Sequence, residues 1–245
     1  MERGVQTNRA QRLKPSFENK KALASYAYIV APLNMLSGLV ALFVSYYAYR
    51  YNKLVTHPVL SYVSMGFMLL GLGLLIEGST SLVVLLRAHG YLLYARLSTF
   101  LYVILQVLSY LVIAIGYAKT TFQKVQGVTA VFVLSARQRV LEILRQEFFL
   151  QLTGGLVSLV LLTLIVFQAI LVYSHSKNRV SLYVLSGFCF VFLGQALTLA
   201  SILASSALLY TLSSAAKFAG FVFMASLLSG GGSKSVGAER KILPQ

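Results

Sequence analysis

Three full charges lie within stretches of sequence that are otherwise apolar, and they are the residues best placed to do chemistry. Glu77, Arg96 and Lys217 each fall inside a run long enough to cross a bilayer, where an ionised side chain is costly and usually marks a function. Counted from the loop near Ala88, Glu77 lies about eleven residues before it and Arg96 about eight residues after it. Antiparallel neighbours would bring these two side chains to a similar depth. The sequence therefore predicts an ion pair between Glu77 and Arg96.

The second half of the chain holds a matching arrangement. Gln195 and Lys217 each lie eleven residues from Ser206, which predicts a hydrogen bond between them. No carboxylate in a membrane span of this half can neutralise Lys217, so Glu77 is its only intramembrane acidic candidate, through a contact between the two halves. Such a polar site near the midplane could bind a solute or relay protons, as in transporters. The alternatives are that these groups only hold helices together, or that Arg96 reaches the headgroups.

Other chemistry has little support. His57, His89 and His175 lie in predicted loops or at helix ends, whereas membrane haem needs histidines within helices and zinc needs several converging ligands. Cys189 is the only cysteine, and the chain has only six carboxylates. Metalloprotease, nucleophile-elbow and phosphate-loop motifs are absent from the sequence. We therefore expect no catalytic residue, cofactor or metal site, and a protein that is not an enzyme.

The composition indicates a membrane protein. Of 245 residues, 58% are hydrophobic and 11% are charged, against about 25% charged in soluble domains. A bilayer crossing takes about 20 apolar residues, and the run from 180 to 228 is long enough for two crossings with a turn near Ser205 and Ser206. The predicted helices are 24–50, 58–86, 91–118, 148–174, 180–204 and 207–229.

Polar segments divide these helices into units. The divisions that we predict are a basic tail 1–21, a first three-helix unit 22–118, a polar connector 119–147, a second three-helix unit 148–229 and a flexible tail 230–245. The second half of the connector has the pattern of a short amphipathic helix on the membrane surface. Its uncharged part, 125–136, has only twelve residues. A seventh crossing is therefore not expected there.

The two units contain similar residues at a constant spacing. Four matches at an offset of 121 carry this similarity: Tyr62 with Tyr183, Gly66 with Gly187, Leu72 with Leu193, and Gly73 with Gly194. We interpret them as an internal repeat. Because each unit has an odd number of helices and the connector is not expected to cross, the second unit should be inverted relative to the first. The expected fold is an all-α polytopic bundle of six transmembrane helices, built from two inverted repeats.

The basic residues predict orientation and partners. Counted outside the helices, Lys and Arg favour a cell-membrane location with both termini in the cytoplasm. The net charge of +15 is explained by attraction of tails and connectors to anionic lipid headgroups. The expected partners are the bilayer and other membrane subunits or a second copy of this chain, and nucleic acid is not expected.

The chain resembles poorly characterised multi-pass membrane proteins of archaea. The resemblance rests on its Leu-, Val- and Tyr-rich helices without Trp, its basic balance, and the pairs Gly66-Phe67 and Gly187-Phe188. It implies no activity.

The plan of two three-helix units also resembles small sugar and vitamin transporters. Those proteins carry a Pro-Gln pair in the first helix of each unit and a linking helix between the units. Here Pro32 is followed by Leu33 and the connector is polar, so the chain is not assigned to that family.

Two functions remain open at this point. The first is a non-enzymatic scaffold or accessory subunit of a larger membrane complex, indicated by the small number of polar residues within the spans. The alternative is a small-solute transporter or channel built from inverted three-helix repeats, indicated by the candidate polar site of Glu77, Arg96, Gln195 and Lys217.

Overall fold

The computed structural model describes residues 17–55, 58–86, 92–121, 147–177 and 179–230. They form six helices, α1 Phe17–Val55, α2 Pro58–Leu86, α3 Leu92–Thr121, α4 Glu147–Ser176, α5 Arg179–Ala204 and α6 Ala207–Gly230. Each helix contains a stretch of 20 to 27 residues that is long and apolar enough to cross a membrane. The prediction of an all-α bundle with six membrane-spanning helices is confirmed.

The helices form a closed ring. Each helix packs against the next one along the chain, and α6 packs against α1. Side chains such as Phe67, Phe188 and Phe221 fill the interior with almost no exposure. Large apolar side chains on the outer surface of all six helices, such as Leu39 and Val160, are about half exposed, as expected for a surface that faces lipid.

Glycines allow the closest helix crossings. In α1 and α2, a Cβ atom built on Gly38 would lie 2.9 Å from the carbonyl oxygen of Gly71. In α5 and α6, a Cβ atom built on Gly220 would lie 2.7 Å from the carbonyl oxygen of Gly187. Since real Cβ atoms do not approach that closely, these positions require glycine, as small residues do at many membrane helix crossings.

Contacts along the helices establish that α6 runs in the same direction as α1. Tyr210, near the start of α6, bonds to Glu77 in the last third of α2. Phe221, later in α6, contacts Phe67 in the first third of α2. The contacts of Gly38 with Gly71 and of Ser45 with Ser64 make α2 antiparallel to α1. Because α6 is also antiparallel to α2, α6 and α1 are parallel.

The same reasoning makes α4 parallel to α3. Gly154, early in α4, packs on Val103 in the first half of α3. The next residue, Gly155, packs on Leu199 near the end of α5, as expected for two helices joined by the short turn at Lys177. Helices α1, α3, α4 and α6 therefore begin at one end of the bundle, which we call the first end, and α2 and α5 begin at the second end.

One expectation from the sequence is wrong. The second unit is not inverted, because α4 runs in the same direction as α1. This error arises from the assumption that Thr121 and Glu147, the two ends of the connector, lie on one side. The outer ends of α1 and α6, Phe17 and Gly230, lie at opposite ends of the bundle, and the side on which each chain terminus lies stays a prediction.

Some predicted features lie outside the described residues. These are residues 1–16 of the basic tail, the connector from 122 to 146 with its predicted amphipathic helix, and the tail from 231 onward. Within the described part, Pro32 lies inside α1. The internal repeat stays a prediction.

The first test concerns the crossing of α5 and α6. Gly220→Val should destabilise the protein by about 1–3 kcal/mol, the usual cost of overpacking, because the new side chain would press on the backbone at Gly187 and Val191. Heating in detergent, followed by size-exclusion chromatography of the remaining folded protein, measures the change. Ala215→Val, at an exposed position of the same helix, is the control. Equal stability of the two variants would contradict the close crossing.

Candidate functional site

One face of α6 supplies two of the polar groups in the interior. Tyr210 and Lys217 are seven residues apart, so they lie on the same side of the helix. Lys217 is only 8% exposed, although it is charged and lies in the middle of a membrane-spanning stretch. Ser213 and Ser214, between them in sequence, are also buried. The first half of α6 therefore turns a polar face to the interior.

Tyr210 joins three helices. Its hydroxyl donates a hydrogen bond of 3.2 Å to Oε1 of Glu77 in α2, and it is also hydrogen-bonded to the side chain of Asn34 in α1. Asn34 is buried and Glu77 is partly buried. This network holds the start of α6 against α1 and α2, where the ring closes.

Glu77 and Lys217 are electrostatic partners across the two units. The charge of Lys217 acts on Glu77 and that of Glu77 acts on Lys217. Within the described part of the chain, this attraction occurs without the direct nitrogen-to-oxygen contact of a salt bridge. Gly194 makes room for the lysine, because a Cβ atom there would lie 2.6 Å from Cγ of Lys217. The structure thus brings together the two charges for which the sequence required contact between the units.

The predicted pair of Glu77 with Arg96 is wrong. The cation that acts on Glu77 is Lys217, whereas Arg96 is exposed near the start of α3. Equal depth from a loop does not determine which side of a helix a residue occupies, and Arg96 lies away from the interior polar network.

The predicted hydrogen bond between Gln195 and Lys217 is also wrong. Gln195 is 2% exposed, and its Oε1 accepts a hydrogen bond of 2.7 Å from Nε2 of Gln106 in α3. Its own Nε2 donates a longer bond of 3.5 Å to the carbonyl oxygen of Gly155 in α4. Gln195 therefore joins α5 to α3 and α4. Sequence reasoning missed Gln106, although a buried amide within the uncharged stretch 97–118 was a signal.

Aromatic side chains fill the other half of the interior. The ring of Phe67 lies 6.2 Å from that of Phe188 and 6.1 Å from that of Phe221, and Tyr117 lies 6.2 Å from Phe188. Glu77 lies ten residues after Phe67, or about 15 Å farther along α2. Glu77 and its partners thus lie nearer the first end, and this aromatic cluster lies nearer the second end.

Three buried polar atoms have no hydrogen-bond partner among the described residues. They are Oγ of Ser109, Oγ of Ser158 and Oε1 of Gln168. All three belong to α3 or α4, and sequence reasoning did not identify them. They add hydrogen-bonding capacity to the interior on the side opposite the Glu77 and Tyr210 contact.

Metal ligands do not cluster in the part of the chain that the structure describes. The described helices contain no group of three or more His, Cys, Asp and Glu side chains that could hold a metal ion. Cys189 is exposed on α5, and His175 is exposed near the end of α4. His57 and His89 lie outside the described residues. What the interior offers chemically is therefore one carboxylate, one ammonium group and several uncharged hydrogen-bonding groups.

Comparison with protein families, characterised proteins and solved structures finds no match for this chain.

The charged pair predicts an asymmetry between single and double variants. Lys217→Met or Glu77→Gln should each destabilise the protein, by up to about 3–5 kcal/mol, the cost of leaving one charge of a buried pair uncompensated. The double variant should be more stable than the Lys217→Met variant, because it contains no uncompensated charge. Thermal unfolding in detergent measures all three, with Lys53→Met at an exposed lysine as the control. A double variant that loses the sum of the single losses would contradict the pairing.

The amide pair predicts a smaller effect of the same kind. Gln106→Leu should cost about 1–3 kcal/mol, because it leaves the carbonyl of Gln195 buried without its donor. Adding Gln195→Leu should recover part of that loss, since both polar groups are then gone. The same unfolding measurement applies, and additive losses would show that the two amides act independently.

Proposed function

We propose that this protein transports a small polar solute across the membrane through the interior of the six-helix ring. The observation that carries this proposal is the pair of opposite charges, Glu77 on α2 and Lys217 on α6, held within the membrane-spanning part of the bundle. Intramembrane charges are rare and typically line substrate or proton pathways.

The two charges favour a zwitterionic solute. An amino group of the solute would bind Glu77 and a carboxylate would bind Lys217, so the site and solute together stay neutral. A singly charged solute would instead leave one buried charge without a partner, which is strongly unfavourable.

The uncharged groups around the pair support the same proposal. The hydroxyl of Tyr210 is already positioned by its bonds to Glu77 and to the side chain of Asn34. Hydrogen bonds of this kind fix the orientation of a bound polar solute. Gln106 and Gln195 extend the polar interior toward α3, α4 and α5.

The division of the interior supports alternating access. The aromatic layer of Phe67, Phe188, Phe221 and Tyr117 closes the interior toward the second end. Glu77, Tyr210 and Asn34 lie on the other side of this layer, toward the first end. Closure on one side of a midplane site is what one state of an alternating-access transporter requires.

The first function predicted from the sequence, a scaffold or accessory subunit, stays a prediction. On that hypothesis Glu77 and Lys217 only hold α2 against α6, and the purified protein moves no solute. The two functions therefore differ in a transport measurement.

The test is uptake of radiolabelled glycine, alanine and proline, three small zwitterions, into vesicles that contain the purified protein. We expect uptake above that of protein-free vesicles, and its loss in Glu77→Gln and in Lys217→Met because each variant removes one of the two charged contacts. Thr163→Val, at an exposed position on α4, should leave uptake unchanged.

Two results would count against the proposal. Uptake equal to that of protein-free vesicles for all three solutes would remove the zwitterion from consideration. Uptake that persists in both charge variants, at correctly folded levels by size-exclusion chromatography, would show that the pair does not bind the solute.

A further inference from the structure

The two ends of the connector lie on opposite sides of the bundle. Thr121 ends α3 at the second end, and Glu147 begins α4 at the first end, because these two helices are parallel. The membrane-spanning part of α3 has 26 residues, or about 39 Å of helix. That length exceeds the hydrocarbon core of a bilayer, about 30 Å. If α3 and α4 both span the membrane, their linked ends lie on its two sides.

We propose that Thr121 and Glu147, the residues on either side of the segment 122–146, lie on opposite sides of the membrane, so that the chain passes from one side to the other between the two three-helix units. We call this passage the crossing. The inference depends on the positions of the two ends and not on the conformation of the segment, which lies outside the described residues. Its length is sufficient, since the 25 residues between Thr121 and Glu147 reach about 38 Å even as a helix.

The directions of the six helices give two independent lines of support. Gly154 packs on Val103, which places the start of α4 beside the first half of α3. Separately, Gln195 in α5 bonds to Gln106 in α3, and Phe188 contacts Tyr117. These two contacts make α5 antiparallel to α3, and α4 is joined to α5 by a short turn. Both lines place Glu147 at the first end.

The composition of the segment explains why the sequence argued against a crossing. Its uncharged part, 125–136, would reach only about 18 Å as a helix. Lys124 and Arg137 flank that part, and long basic side chains can extend their charges toward the headgroups. The segment is thus too polar to be identified as a crossing by hydropathy, while helix directions require the chain to pass from one side to the other.

A crossing at this point accounts for the orientation of the two units. Three helices and one further crossing return the chain to the side from which it started, so the second unit repeats the direction of the first. The inference does not depend on the proposed transport function, because it concerns only the path of the chain.

The experiment uses single cysteines in the full-length Cys189→Ala protein. Lys119→Cys and Lys177→Cys lie at the second end, and Glu147→Cys and Ser205→Cys lie at the first end. A membrane-impermeant maleimide is applied to intact cells and, separately, to permeabilised cells. We expect the maleimide to label positions 119 and 177 from one side of the membrane and positions 147 and 205 from the other side.

The comparison of positions 119 and 147 decides the inference. Labelling of both from the same side, or of each from both sides, would overturn the crossing. If Lys119→Cys does not accumulate in the membrane, Lys53→Cys reports the same end of the bundle from an exposed position of α1. A shared accessibility of positions 53 and 147 would overturn the crossing equally.

Discussion

A charged side chain within hydrocarbon needs a partner, and Lys217 is the residue on which this constraint falls most heavily. Insertion scales assign a central lysine a cost of about 2.5–3.5 kcal/mol, and α6 contains no carboxylate of its own. Its electrostatic partner, Glu77, belongs to α2 in the other unit. The two units therefore have to associate with α6 near α2, and this requirement closes the ring between α6 and α1.

The rest of the interior is arranged around that pair. Gly194 provides the space for the lysine side chain beside α5, and Tyr210 and Asn34 provide hydrogen bonds where α6 meets α1 and α2. The aromatic layer lies beyond the polar groups toward the second end. This layout places Glu77 and Lys217 toward the interior of the bundle and away from its lipid-facing surface.

The sequence predicted the helices well and their arrangement poorly, for separate reasons. Helix number follows from the length of apolar runs, because each crossing needs about 20 residues, and five of the six helices begin within one residue of their predicted start. The depth of a residue in the membrane also follows from residue counts, but the side of the helix on which it lies does not. Arg96 has a depth similar to that of Glu77 and still lies on the exposed side of α3.

The direction of the second unit could not be predicted from hydropathy. It depends on where the connector ends, and a segment with charges at Arg137, Arg139 and Arg145 has no apolar run of membrane length. The helix directions come from packing contacts between residues far apart in sequence. Gln106 was predictable in part. The apolar stretch around it indicates that it is buried, but its partner in α5 could not be predicted from the sequence.

Packing contacts also relate the two units to each other. Gly66 lies against the carbonyl of Ser109, and Gly187 lies against that of Gly220, with built Cβ atoms at 3.0 Å and 3.1 Å from these oxygens. Equivalent positions of α2 and α5 are then 121 residues apart in sequence, and those of α3 and α6 are 111 residues apart. With these offsets, Glu77 corresponds to Thr198 and Lys217 corresponds to Gln106. Both charges therefore correspond to uncharged residues with other partners, since Gln106 bonds to Gln195 and Thr198 bonds to Ser213. At these two positions the other half of the bundle packs without charged groups, whereas α2 and α6 are joined through the attraction between Glu77 and Lys217.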